Sequence, residues 1–563
     1  MKGKSNHPLL TLAAAVRDVC LITAALALAA CGGHGSSSSS PSGSYTVGGS
    51  ISGLNASSVL LIYNSTNTVT VSSGATSWVF ATSFAAGSSY SVSVLTQPIG
   101  ELCEVTSGGS GTLTANVDNV AVVCSVYGQW IWEGGLDSVN ASGVYGTQGA
   151  ASASNLPGAR YDSSSWSDSS GNFWLFGGAG YDSTGAIGDL NDLWQYSPST
   201  GQWVWVSGGN EDNASGVYGT SGAASAGNVP GGRYSASSWV DLSGNLWLFG
   251  GYGYDSAGGV GRLNDLWQYT PSTRQWVWVS GAKADNASGV YGTQGAASAG
   301  NVPGARYSAS SWIDSSGNLW LFGGFGYDST GASGSLNDLW RYSPSSGQWT
   351  WVSGGNADNA SGVYGTQGSA AASNVPGARQ AANSWIDSSG NLWLFGGYGY
   401  DSTGGAGYLN DLWQYSPSSG QWTWISGVNA DNASGVYGTQ GTAAASNAPG
   451  GRYSGSSWID SSGNLWLFGG YGYGSTSGLG ALNDLWLYSP SAGLWTEVSG
   501  SSADNATGSY GSQGTVSAST TPGARQAANS WTDSSGHLWL FGGAGYGSAG
   551  NGYLNDLWQF VPP

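Results

Sequence analysis

Six times along the chain an Asn-Ala-Ser/Thr phrase is followed, five residues after its Asn, by a tyrosine. EDNASGVYG and its copies place Asp212 with Tyr218, Asp285 with Tyr291, Asp358 with Tyr364 and Asp431 with Tyr437. ADNATGSYG places Asp504 with Tyr510, and SVNASGVYG keeps Tyr145 but has Val139 where the aspartate would stand. Asp with Asn offers oxygen ligands of the kind calcium takes, yet DNASG lacks the alternating spacing of a calcium loop, and an Asx-turn explains it equally well. Tyr, Asn, Asp, Ser and Gly are also the residues of adaptable recognition surfaces, and Asp beside an aromatic platform suits a sugar. Beyond residue 124 there is no cysteine, the only histidine is His537, and the only glutamates are Glu133, Glu211 and Glu497. No Ser-His-Asp set can be assembled from these, and neither catalytic residues nor a metal or cofactor is expected. The chemistry on offer is recognition; a carbohydrate-active enzyme and a purely structural cell-envelope protein stay open as alternatives.

These residues belong to a chain of 563 with 97 glycines, 30 tryptophans, 30 tyrosines and only 8% charged residues. So many aromatics argue against disorder, and the glycines lack the every-third-residue period of collagen. The composition fits a large all-β protein with many turns and a Trp-rich core. The formal charge is -18, and ten of the thirteen basic residues lie after residue 31. A basic stripe for phosphates is therefore missing, and no nucleic acid is expected as partner. The acidic excess keeps such a surface soluble.

At the N-terminus, Lys2, Lys4 and Arg17 precede an apolar run over residues 19–30. It is too short to span a bilayer as a mature helix and reads as a signal peptide over residues 1–30. Leu28-Ala29-Ala30-Cys31, followed by Gly32-Gly33, resembles the bacterial lipobox. That resemblance implies lipidation of Cys31, export, and anchoring to the cell envelope, with the glycine after the cysteine pointing to the outer membrane; plain secretion is the alternative. Residues 31–44 form a Ser-rich tether. Cys103 and Cys124 remain in an oxidising compartment and are expected to pair, a link worth about 3 kcal/mol in the chain-entropy model. Residues 45–124 alternate apolar and polar between Gly, Asn and Ser turns, the pattern of a small β-sandwich. The strand count and the late cysteine pair resemble immunoglobulin-like or transthyretin-like modules.

From residue 125 onward the chain repeats. The arginine of PGAR or PGGR falls at Arg160, Arg233, Arg306, Arg379, Arg452 and Arg525, and the tryptophan of NDLW at Trp194, Trp267, Trp340, Trp413, Trp486 and Trp558. Each unit reads as four strands. In the fourth unit these are RQAANSW (379–385), NLWLFGG (391–397), DLWQYS (411–416) and QWTWIS (421–426). Four short strands repeated six times describe the blades of a β-propeller. The Gly-Gly after the second strand, Tyr415 in the third and Trp422 seven residues later resemble the kelch repeat, as do PGAR and NDLW. The resemblance implies a six-bladed kelch-type β-propeller over residues 125–563, the architecture of the galactose oxidase central domain. That enzyme's copper is held by tyrosines and histidines with a crosslinked cysteine; residues 125–563 have no cysteine and one histidine, His537, in a short turn on the other rim. The last unit stops after three strands, and QWIWEG (129–134) supplies a fourth strand without the first three. Trp130 and Trp132 are thus expected to complete the last blade.

The tryptophans read as core, each burying about 200 Å², on the order of 5 kcal/mol gross. The Asn-Asp of NDLW reads as a cap on the turn into the third strand. Strand alternation places the two short connections of each unit on one rim. The second-to-third connection (GYGYDSTGGAGYLN in the fourth unit) and the roughly 26-residue link to the next unit share the other rim. The expectation is a monomer that binds a glycan or protein at the cell surface through this long-loop rim. Tyr145, Tyr218, Tyr291, Tyr364, Tyr437 and Tyr510, with Asp212, Asp285, Asp358 and Asp431, are the candidate contacts.

Overall fold

The computed structural model describes residues 43–54, 59–63, 67–96, 98, 101–126, 128–476, 478–517 and 519–562. The expected signal peptide, Cys31 and nearly all of the expected tether lie outside the described residues. Among the described residues there is no helix, and hence none long and apolar enough to cross a membrane.

The N-terminal part contains two four-stranded sheets. One runs Ser77–Val79, Val47–Ser52, Val117–Val126 and Glu101–Ser107, with the middle pair parallel; the other runs Asn67–Val71, Val59–Tyr63, Ser89–Thr96 and Ser110–Thr112. Alternation buries Val47, Ile51, Trp78, Val92, Val120 and Val122 in one core. Cys103 and Cys124 are direct cross-strand partners joined by a disulfide, as expected. The strand carrying Cys103 is not apparent from its sequence, because ELCEVTS places acidic residues on both sides of the cysteine.

The rest of the chain is built of repeated four-stranded antiparallel sheets, consistent with a β-propeller. In the fourth unit the first strand is split into Arg379–Gln380 and Asn383–Ile386 around Ala381, whose φ is 52°. The second strand is Leu392–Tyr400, the third Ala406–Ser416 and the fourth Gln421–Ser426. The second and third are longer than their sequence suggests. GYGYDSTGGAGYLN is mostly strand, with a bulge between Phe395 and Gly397, and the connection shrinks to residues 401–405. Asp401 makes that short turn by accepting hydrogen bonds from the Thr403 and Gly405 amides and the Thr403 hydroxyl. The expected long second-to-third loop is therefore corrected to a tight Asx-type turn. The Gly-Gly is required at the bulge: Gly396 has φ 65°, and a Cβ there would lie 2.8 Å from the Arg452 carbonyl of the following unit.

Apolar cores lie between successive sheets. Trp312, Trp320 and Phe322 of the third unit pack with Leu392, Leu394, Trp413 and Trp422 of the fourth. Trp531, Trp539 and Phe541 of the last unit pack in the same way with Phe173, Leu175 and Trp194 of the first. The strand Gln129–Gly134 pairs with Asn551–Val561, setting Trp132 opposite Trp558, and buries Trp130 against Phe468 and Phe560. The left-handed residue of each split first strand bonds the same residue of its neighbour. Amides of Ser235, Ser308, Ala381, Ser454 and Ala527 donate in turn to the carbonyls of Asp162, Ser235, Ser308, Ala381 and Ser454. The Asp162 amide donates to Ala527, so the series returns to its start.

Candidate functional site

The repeated tyrosines are part of the scaffold. Tyr145, Tyr218, Tyr291, Tyr364, Tyr437 and Tyr510 are all buried. Tyr364 donates its hydroxyl to Asp411 Oδ2 at 2.6 Å, and its ring lies against Trp413 and Trp424. Asp411 also takes the Trp413 indole N–H at 2.7 Å and both terminal nitrogens of Arg379, at 2.7 and 2.8 Å. Arg379 also donates to the carbonyls of Gly377 and Gly396. Burial and the Asp411 carboxylate hold the Tyr364 phenol well above its ordinary range. A phenol so placed stays protonated and is shielded from solvent. The expected ligand contacts at these six tyrosines are corrected accordingly: an amphipathic ring whose hydroxyl finds a buried carboxylate satisfies both halves of its chemistry inside the fold.

The Asn-Asp pair likewise differs from a simple turn cap. The aspartate is the buried centre just described, while Asn410 donates to the Pro449 carbonyl and accepts from the Val428 amide. Asp212, Asp285, Asp358 and Asp431 are half-buried and accept from the side chains of their own next residues, Asn213, Asn286, Asn359 and Asn432.

Those asparagines reach across to the third strand. Asn432, at φ 58°, accepts from the Tyr408 amide at 3.1 Å and donates its own amide to the Tyr408 carbonyl at 2.7 Å. The same two-bond clamp holds Asp189 by Asn213, Arg262 by Asn286, Ser335 by Asn359, Ala481 by Asn505 and Tyr553 by Asn140. What is clamped is a position that varies among the units: Asp189, Arg262, Ser335, Tyr408, Ala481 and Tyr553. Every neighbouring position of NDLW is the same in all six units.

Cross-strand pairing extends the variation. Tyr408 faces Tyr398, which faces Gln380; Arg262 faces Tyr252, which faces Tyr234; Asp189 faces Ala179, which faces Tyr161. No two units carry the same triplet. The rows converge. Tyr161 contacts Tyr234 and Tyr553, Tyr234 contacts Tyr307, and Tyr408 contacts Tyr453, Tyr471 and Tyr473. Beneath them lies a cavity of about 170 Å³ lined by Asp162, Ser235, Ser308, Ala381, Ser454 and Ala527, among others. Asp162 is the only carboxylate in that lining. Burial raises it to about 6, the Ser235 hydroxyl opposing, and burial together with Asp212 raises Asp189 to about 6 as well. Further along the first strands a wider cavity of about 480 Å³ is walled by serines and tryptophans of all six units. His537 lies apart from all of this, in a short turn against Asp533 and Gln559.

Among the described residues no group of three or more His, Cys, Asp or Glu side chains is arranged to hold a metal ion. The arrangement offers aromatic faces, two carboxylates, one guanidinium and amides around a narrow opening, which is equipment for recognition. The signal that finds it in the sequence is the difference between repeats, since residues repeated six times serve the fold. No protein-family model matches the chain, and no curated protein matches it.

Proposed function

We propose that residues 125–563 are a six-bladed kelch-type β-propeller that binds a glycan on its long-loop face, without turnover, in a protein carried to the bacterial outer membrane by lipid on Cys31. The observation that carries this reading is where the repeats diverge. The six units carry six different triplets around one opening, and these are rich in tyrosine, whose ring takes the C–H face of a sugar while its hydroxyl bonds the edge. The six-bladed ring is supported by the inter-unit hydrogen bonds that return to Asp162 and by the core shared between last and first units. Kelch character is supported by the Gly-Gly bulge and the buried Arg-Asp pairs.

A glycan array probed with the full chain tests the reading. Retention of one glycan class with unchanged array sugars is expected. Absence of any retained glycan would refute it, and hydrolysed or oxidised array members would favour the enzyme alternative.

A further inference from the structure

Of the ten basic residues after residue 31, six are consumed by buried ion pairs with aspartate. Arg262 is the one that stands in the variable ring of the opening. Its guanidinium carbon lies 4.7 Å from the centroid of Phe325, 5.2 Å from Tyr327 and 5.9 Å from Tyr307. Among the described residues it forms no ion pair, and its Nε is buried without a hydrogen-bond partner. Stacking uses the faces of a guanidinium and leaves its in-plane donors for a planar oxyanion. With the Nε closed to solvent, an incoming carboxylate can pair with the two terminal nitrogens through charge-assisted hydrogen bonds. The Asn286 clamp fixes the strand from which the side chain rises.

We infer that Arg262 is an anion-binding subsite and that the glycan is acidic, carrying the monoanionic carboxylate of a uronic acid. This rests on the glycan reading above. Arg262 is the single cation in that ring and forms no ion pair, so it matches one negative charge, and a second would meet no cation there. The flanking aromatic rings take the pyranose.

The test is titration of the full chain with oligomers of the common hexuronic acids, their methyl esters, and sulfated neutral oligomers of equal length. A uronate oligomer binds at least tenfold more tightly than its ester. Arg262→Ser, which installs the residue the third unit already carries as Ser335, removes that preference while ester affinity and melting temperature hold. Esters that bind as well as acids overturn the inference but leave the glycan reading standing. So does a preference that survives Arg262→Ser. Sulfated oligomers that bind as tightly as uronates overturn the carboxylate assignment. A chain that retains no oligomer of any kind overturns both.

Discussion

Asp411 accepts from a tyrosine, a tryptophan and an arginine, and five equivalent aspartates do the same. Removing the carboxylate's charge strands a fully buried guanidinium. Asp411→Asn is therefore expected to lower unfolding free energy by about 3–5 kcal/mol, and Tyr364→Phe by about 1.5–3 kcal/mol, in urea titrations. Polar residues in a low-hydrophobicity loop look like surface, which is why the six tyrosines read as contacts in the sequence. Their burial depends on a partner 46 or 47 residues away, a separation no local pattern reveals. Glu497 departs from the repeat in the other direction. It stands where other units have Trp205, Trp278, Trp351 and Trp424, and burial, then Asp484, raise it to about 7 against the opposing Gln440 hydrogen bond. A carboxyl raised in the folded state stabilises fully below its ordinary value of 4.5 and loses that contribution as pH climbs through about 7. Thermal melts should show wild type falling relative to Glu497→Gln between pH 5 and 8, with the gap constant below pH 4.5.

At the scale of elements, the repeat length, the short turns and the closing strand were all legible, because the hydrophobic runs and the Asp-Ser-Ser-Gly turns are local. The extension of the second and third strands was not. GYGY and GAGY read as loop, since glycine and tyrosine alternate without an aliphatic signal, yet their burial alternates once the bulge has set the register. That hidden half of the sheet carries the candidate site. Its clamp makes a prediction: Asn432→Ala should leave the melting transition nearly in place while the Tyr408 amide loses hydrogen-exchange protection by at least tenfold. The Gln129–Gly134 strand makes another. A chain beginning at residue 137 loses the buried Trp130 and exposes the edge of Asn551–Val561. It should be less stable than one beginning at residue 125 by at least about 3 kcal/mol; equal melting temperatures would refute the closing role.

For the whole molecule, the division is between what recurs and what varies. Recurring residues such as the tryptophans and the Arg-Asp pairs build the interfaces between sheets and the buried ion pairs, while the varying triplets stand at one opening. The sequence marks the recurring tyrosines by their repetition, and the structure places those tyrosines inside the fold. Substitutions borrowed from other units separate the two roles, because the fold already accepts them: Tyr408→Ala and Tyr553→Ala copy Ala481. The most direct measurement is the affinity of this double variant for the retained glycan, taken beside its melting temperature. The account predicts a loss of at least tenfold in affinity with stability changed by about 1 kcal/mol or less. Wild-type affinity in a folded double variant would contradict it.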